Sequence, residues 1–263
     1  MISKDELMRL AGKQKINPSP LGKDYALGWL LFGISKSSVA DRLVLKGGTA
    51  LSKIYFPEDW RLSEDLDFTV TDKEIELKSI INALENEVPK IVQKKNEMTV
   101  VLKDRPHTNI GYLQSRFQYT GSLGKDTIKI EISKEGVVGK IKTETVPRVF
   151  DYPAFKVCVY SLEDILAEKM RSIIQRTRIR DYYDVWRLLK VRKFDNKKVK
   201  ELFLKKCESK VQFTSVDQFF PSGISQILGP YLQRGLTRLS REPLPPIEEI
   251  LKELKELLNK FFK

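Results

Sequence analysis

The amino-acid sequence predicts an α/β (α+β) protein, with a mixed-sheet lobe and N-terminal helices over residues 1–160 and a helical lobe over residues 161–263. Three observations carry this prediction. Residues 43–70 read as strand, glycine turn, short helix and strand. Residues 98–160 alternate apolar and polar side chains between turn residues, which is the period of strands. Beyond Tyr160 the apolar residues recur at helical spacing to the end of the chain.

Taken in order, residues 1–40 are expected to be helical. Ser3, followed by Asp5 and Glu6, is a helix start. The run Asn17-Pro18-Ser19-Pro20 is expected to break that helix, and residues 23–34 to form a second, more apolar one that packs behind a sheet. The apolar run 43–45 ends at Gly47-Gly48-Thr49, and Pro57-Glu58-Asp59 marks the loop before the next strand. Thr71 with Glu74 reads as a capping box opening a helix that runs to Ile91. Strands are expected at 98–102, 110–119, 127–133 and 155–159, with turns at Gly121-Ser122-Leu123-Gly124 and Glu135-Gly136. Ser161 and Asp164 open a helix to Arg176, Asp181 one to Val191, and residues 196–208 form a third. Pro221, Gly223, Gly229 and Pro230 fragment the next stretch, and residues 243–246 make a stiff connector. Ile247, Ile250, Leu251, Leu254, Leu258 and Phe261 form the stripe of a terminal helix expected to dock on its own lobe.

Composition narrows the partners. Lys and Arg number 47 against 35 Asp and Glu, a net charge of +12 that favours a polyanion, nucleic acid above all. Cys158 and Cys207 lack metal-ligand spacing, and with no signal peptide a reducing, cytoplasmic setting is expected. The longest apolar run, 25–34, is shorter than the roughly 20 residues a membrane span requires, so no membrane partner is expected. His107 is the single histidine, which excludes a multi-histidine zinc site within one chain and argues against a His-based hydrolase. No G-x-x-x-x-G-K-[ST] loop is present, so a P-loop nucleotidase is not supported.

The chemistry concentrates in residues 43–70. Leu66, Phe68 and Val70 alternate with Asp65, Asp67 and Thr69, so the two aspartates share one strand face. Neighbouring carboxylates repel unless a cation lies between them, and all-oxygen ligands suit Mg²⁺ or Mn²⁺. Glu131 lies on the polar face of an alternating strand, opposite Ile128, Ile130 and Ile132. It either completes that metal site or decorates a solvated face. Gly47 and Gly48 offer backbone N–H groups to phosphate. Thr49 either caps the short helix or gives its hydroxyl to a phosphate; Ser63, on the face of Asp65, either contacts the triphosphate or satisfies backbone. A phosphate cradle and metal carboxylates in one short span point to phosphoryl or nucleotidyl transfer.

Lys169 falls inside the apolar stripe of Leu162, Ile165, Leu166 and Ile173. A lysine facing inward needs an anion, which a nucleotide phosphate would supply, unless it snorkels past the stripe edge. Asp181 either caps its helix or serves the site, and capping does not exclude a site role. Arg171, Arg176, Arg178 and Arg180, interleaved with Tyr182, Tyr183 and Trp186, either hold RNA by phosphate contact and stacking or form a solvated face.

These residues resemble the nucleotidyltransferase superfamily of DNA polymerase β, whose pattern is a Gly-Gly or Gly-Ser turn, then Asp-x-Asp or Asp-x-Glu, then a third acid. Within it, KGGTAL, RLSEDLDF, LAEKM and RDYYDVW are similar to successive motifs of the AbiEii/AbiGii toxins of type IV toxin–antitoxin (abortive infection) systems, over residues 20–190. The resemblance implies a polymerase β-like lobe carrying Gly47, Gly48, Asp65 and Asp67, and a helical lobe carrying Lys169 and Asp181. It further implies an NTP substrate, a divalent metal, transfer to the 3′ acceptor end of tRNA that stops translation, and a cognate antitoxin. Two positions depart from the superfamily: Gly48 stands where serine is common, with Thr49 as the substitute hydroxyl, and Glu131 where aspartate is common.

The expectation is thus a metal-dependent nucleotidyltransferase toxin acting on RNA, tRNA foremost. Asp65, Asp67, Glu131, Lys169 and Asp181 are its catalytic candidates. Asp65, Asp67 and Glu131 are its metal ligands, and Gly47, Gly48, Thr49, Ser63 and Lys169 bind the nucleotide. Two rivals stay open: a nucleotidyltransferase acting on an aminoglycoside or sugar, and a non-catalytic RNA- or protein-binding module on the same fold.

Overall fold

A computed structural model describes residues 1–208 and 210–263. The chain divides into one unit of Met1–Val137 with Ile141–Tyr160, and a second of Val138–Lys140 with Ser161–Lys263.

The first unit opens with α1 (Lys4–Gln14) and α2 (Pro18–Ser35). Ser3 caps α1 by accepting the Glu6 N–H. Asn17 caps α2, so Pro18 and Pro20 start that helix instead of preceding it. Proline suits a first turn because the N–H it lacks has no partner there anyway. Buried residues encircle α2, yet among the described residues no helix is long and apolar enough to cross a membrane. The chain continues through β1 (Leu43–Lys46), α3 (Gly47–Ala50, extended by a π-turn over Leu51–Tyr55), β2 (Asp65–Val70), α4 (Leu77–Asn86) and α5 (Val88–Lys95). The helix expected to open at Thr71 starts six residues later, because the Asp72 carboxylate takes the Glu74 N–H and closes a turn there. A second helix begins at Val88-Pro89.

The remaining strands are β3 (Thr99–Leu102), β4 (His107–Asn109), β5 (Tyr112–Gly121), β6 (Gly124–Ser133), β7 (Ile141–Val146) and β8 (Phe155–Tyr160). They join one mixed sheet in the order β3-β5-β6-β2-β1-β8-β7, with β4 also paired to β5. β2 is antiparallel to β1 and parallel to β6, and β1 is parallel to β8. The β5–β6 hairpin turns at Ser122-Leu123, closed by Gly124 at φ +102°. Ile128, Ile130 and Ile132 of β6 are buried on one face. Lys53, in the π-turn, is buried against α2, with its Nζ 2.7 Å from Asp24 Oδ2. That pair fixes the helix following the glycine turn.

In the second unit, α6 (Leu162–Gln175), α7 (Ile179–Val191) and α8 (Asn196–Cys207) precede α9 (Ile224–Tyr231) and α10 (Ile247–Phe262). Ser161 caps α6 through the Asp164 N–H at 3.1 Å. The whole apolar stripe of α10 is buried. Glu253 of α10 accepts from Trp186 Nε1 and Lys190 Nζ of α7, each at 2.7 Å.

Candidate active site

Antiparallel pairing of β1 with β2 brings the glycine turn to the aspartates, with Lys46 opposite Asp67. Gly47 follows at φ +72°, the left-handed region that glycine enters freely. A Cβ on Gly47 would lie 2.7 Å from Asp67 Oδ2, so the Asp67 carboxylate rests against the turn itself. On the other side of β2, parallel pairing sets Asp67 opposite Glu131 and Asp65 opposite Lys129. Paired residues share a sheet face, so Asp65, Asp67 and Glu131 stand together, away from the buried Leu66, Phe68, Ile130 and Ile132.

Glu131 is held from several sides. Burial pushes its carboxyl up, but bonds from the Tyr112 hydroxyl and Lys129, with the Lys129 charge and a bond to Asp67, outweigh burial and hold it below the usual range. Lys129 Nζ lies 3.0 Å from Glu131 Oε1. Burial and the Glu131 partner push the Tyr112 hydroxyl up, so it stays a donor. Ionised carboxylates at paired positions such as Asp67 and Glu131 repel unless a proton or a cation lies between them.

Among the described residues no three His, Cys, Asp or Glu side chains form a ready-made metal cage. Mg²⁺ does not require one, since it commonly takes one or two carboxylates and completes its shell with phosphate oxygens and water. The Asp67–Glu131 pair, with Asp65 on the same face, fits that donor set.

Thr49 and Ser63 are both buried. Thr49 Oγ1 bonds the Asp65 carbonyl and lies 2.7 Å from Ser63 Oγ. The carbonyl can only accept, so the single Thr49 proton goes to it and Ser63 donates to Thr49. The two hydroxyls therefore brace α3 against the start of β2. Sequence reasoning passed over Arg61. It is 3% exposed, and a Cβ on Gly48 would lie 2.8 Å from its Nη2. A guanidinium thus fills the space beside Gly48. The signal was its place in RLSEDLDF, between the apolar Trp60 and Leu62; what that pattern does not show is that the charge is buried.

The profile of the family described as "Nucleotidyl transferase AbiEii toxin, Type IV TA system" matches residues 29–262. The chain belongs to the AbiEii family. It is accordingly a nucleotidyltransferase of the toxin type, in a family that works with NTP and a divalent metal and is paired with antitoxins. Its fold is similar to MenT4, a nucleotidyltransferase toxin of Mycobacterium tuberculosis H37Rv, with TM-score 0.73 at 18% identity over 100% of this chain and 90% of that one. It is also similar to JHP933 from Helicobacter pylori, with TM-score 0.55 at 18% identity over 94% of this chain and 93% of that one. No curated protein matches the sequence.

The later AbiEii motifs lie in the second unit. LAEKM places Lys169 on α6, and RDYYDVW places Asp181 and Asp184 on α7. The anion that an inward lysine needs is supplied locally: Lys169 Nζ lies 2.7 Å from Asp181 Oδ1 and 3.0 Å from Asp184 Oδ2. Asp181 also holds Arg176 Nε at 3.1 Å. Asp181 lies inside α7 and does not cap it, since Arg178 precedes the helix. Asp184 is a further missed residue, legible only as the acid one helical turn beyond Asp181.

The expected basic and aromatic RNA surface on these helices needs correction. Tyr182, Tyr183 and Trp186 are buried and offer no ring to a base. Arg171 is buried as well and bonds Gln175, while Arg176 is engaged by Asp181. Of the four arginines, Arg176 and Arg178 are exposed and Arg180 is half-buried.

Proposed function

We propose that this AbiEii nucleotidyltransferase transfers a nucleotide from an NTP to the 3′ end of RNA, tRNA foremost, with Mg²⁺ or Mn²⁺, and so blocks translation until a cognate antitoxin neutralises it. The reading rests on the pairing of Asp67 with Glu131 across β2 and β6, beside the Gly47–Gly48 turn. Asp65, Asp67 and Glu131 would hold the metal, which supplies charge neutralisation at the phosphates and a more acidic acceptor hydroxyl when bound. The Gly47 and Gly48 backbone and the Arg61 guanidinium cradle the triphosphate, with Thr49 and Ser63 keeping the turn in place. Tyr112 and Lys129 orient Glu131 and keep it ionised. The family motifs assign Lys169 and Asp181 to the activity as well, and Asp181 pairs the lysine within the second unit. Such chemistry depends chiefly on fixed charge around the phosphates. The net charge of +12 favours RNA over an aminoglycoside or sugar as acceptor.

The test incubates purified protein with total tRNA, Mg²⁺ and each NTP labelled at the α-phosphate, beside Asp65→Asn. Label on RNA with the wild type alone is the expected result. Label on neither RNA nor protein, with Mg²⁺–NTP still bound, would overturn RNA as acceptor and leave a small molecule.

A further inference from the structure

Sheet register carries a row of cations away from the acids. Asp65 pairs with Lys129 on β6, and Lys129 with Arg116 on β5. The Lys103 N–H donates to the Arg116 carbonyl at 2.7 Å, which continues the same ladder beyond β3. A second row runs beside it, from Asp67 through Glu131 and Gln114 to His107. Side chains of in-register residues share a face, so both rows lie on the face of the carboxylates. Arg116 and Lys103 are exposed, and Lys129 is half-buried on Glu131. Among the described residues, Glu131 is the one acid that β3, β5 and β6 add to this face.

Exposed cations on outer strands also deter edge-to-edge pairing, and that role needs no ligand. It does not account for a single row that ends on Asp65. The topology adds a second argument. β2 stands between β1, which delivers the glycine turn, and β6, which begins the cationic wing. A metal site that clamps both attacking and leaving oxygens takes its donor and acceptor from different sides. With the triphosphate on the β1 side, the acceptor enters from the β6 side.

We propose that the β6–β5–β3 face is the acceptor platform: the phosphodiester backbone of single-stranded RNA lies along Lys129, Arg116 and Lys103, with its 3′ hydroxyl at Asp65. This rests on RNA being the acceptor. The row spans about 14 Å at the ordinary strand spacing. Arg116 and Lys103 hold the strand, and Lys129 serves both the strand and Glu131.

The experiment compares the full-length wild type with Lys103→Ala/Arg116→Ala, using a labelled single-stranded oligoribonucleotide in filter binding between about 50 and 200 mM salt. The double variant is expected to bind at least about 10-fold more weakly, with the salt slope reduced by about 1.4 for two lost phosphate contacts. Mg²⁺–NTP binding by calorimetry is expected to be unchanged, and Lys103→Arg/Arg116→Lys to bind RNA as the wild type does. A double variant that binds and labels RNA normally would overturn the platform while leaving RNA transfer standing. A wild type that binds Mg²⁺–NTP but no RNA would overturn the acceptor reading and the platform together. Loss of NTP binding in the double variant would assign these residues to the nucleotide and overturn the platform. So would normal RNA binding with lost neutralisation by the antitoxin, which would make the face a protein interface.

Discussion

Asp67 on β2 and Glu131 on β6 stand opposite each other in register, on one face of the sheet with Asp65. Two ionised carboxylates so placed repel, and a cation relieves the repulsion. Asp67→Asn should therefore keep the fold at least as stable without metal. Transfer should fall by at least about 100-fold, as when a transition-state electrostatic contact is removed. Thermal unfolding checks both halves: Mg²⁺ with NTP should raise the wild-type Tm by mass action and leave the variant's unmoved. A lower metal-free Tm with the Mg²⁺ response intact would sink the pairing argument.

Burial pushes the Glu131 carboxyl up, and the Tyr112 hydroxyl is one of three groups, with Lys129 and Asp67, that hold it below the ordinary range. A carboxyl lowered in the folded state contributes stability above its unfolded value, about 4.3 for Glu, and loses it as pH falls through the folded value. Tyr112→Phe leaves burial less opposed, so Glu131 should protonate at higher pH. The acid limb of kcat/KM should move upward in this variant, with the plateau rate near that of the wild type. An acid limb at the wild-type position would remove Tyr112 from the account of Glu131.

Strand periodicity made the acids legible. Asp65 and Asp67 alternate with Leu66 and Phe68, and Glu131 with Ile130 and Ile132, so a period of two separates polar from apolar faces without any knowledge of neighbours. Parallel pairing of β2 with β6, which makes those acids meet, is a tertiary fact that no local pattern carries. The same holds for Arg61, whose burial beside Gly48 depends on a fold closing over it, and for Lys169, whose anions lie on the next helix. Trp186 and Tyr183 misled because aromatic residues among arginines look alike whether the rings face a base or the core. Strand β4 was missed because His107-Thr108-Asn109 is exposed throughout and has no apolar face to read. The helix expected at Thr71 failed on side-chain competition: Asp72 takes the Glu74 N–H that a Thr71 cap would have bonded.

The two glycines of the turn are expected to differ. Gly47 has φ +72°, and a Cβ there meets Asp67 Oδ2 at 2.7 Å. Gly47→Ala should cost about 1–2 kcal/mol in backbone strain and abolish transfer by displacing Asp67. Gly48 has no such φ, and its added Cβ meets the end of the Arg61 side chain. Gly48→Ala should leave Tm nearly unchanged and raise KM for NTP, as should Arg61→Ala. If both residues act through one guanidinium, the double variant is no worse than Arg61→Ala alone, a non-additivity of about 0.5–3 kcal/mol. Additive effects on KM would show that Gly48 and Arg61 act separately.

Lys169 joins two nearly inaccessible carboxylates, with side-chain exposures of 2% for Asp181 and 0% for Asp184. Lys169→Met removes the cation they share, and breaking a buried pair in this way costs about 3–5 kcal/mol. Loss of activity in that variant alone would not separate a role on phosphate from simple unfolding. Adding Asp184→Asn removes one of the stranded charges while Arg176 still holds Asp181, so much of the lost Tm should return. If Lys169 serves the reaction, the stabilised double variant stays inactive, and its NTP affinity falls with it. Recovery of transfer along with Tm would make the lysine a structural counter-ion for α7, and the catalytic cations would then be sought among Arg61 and Lys129.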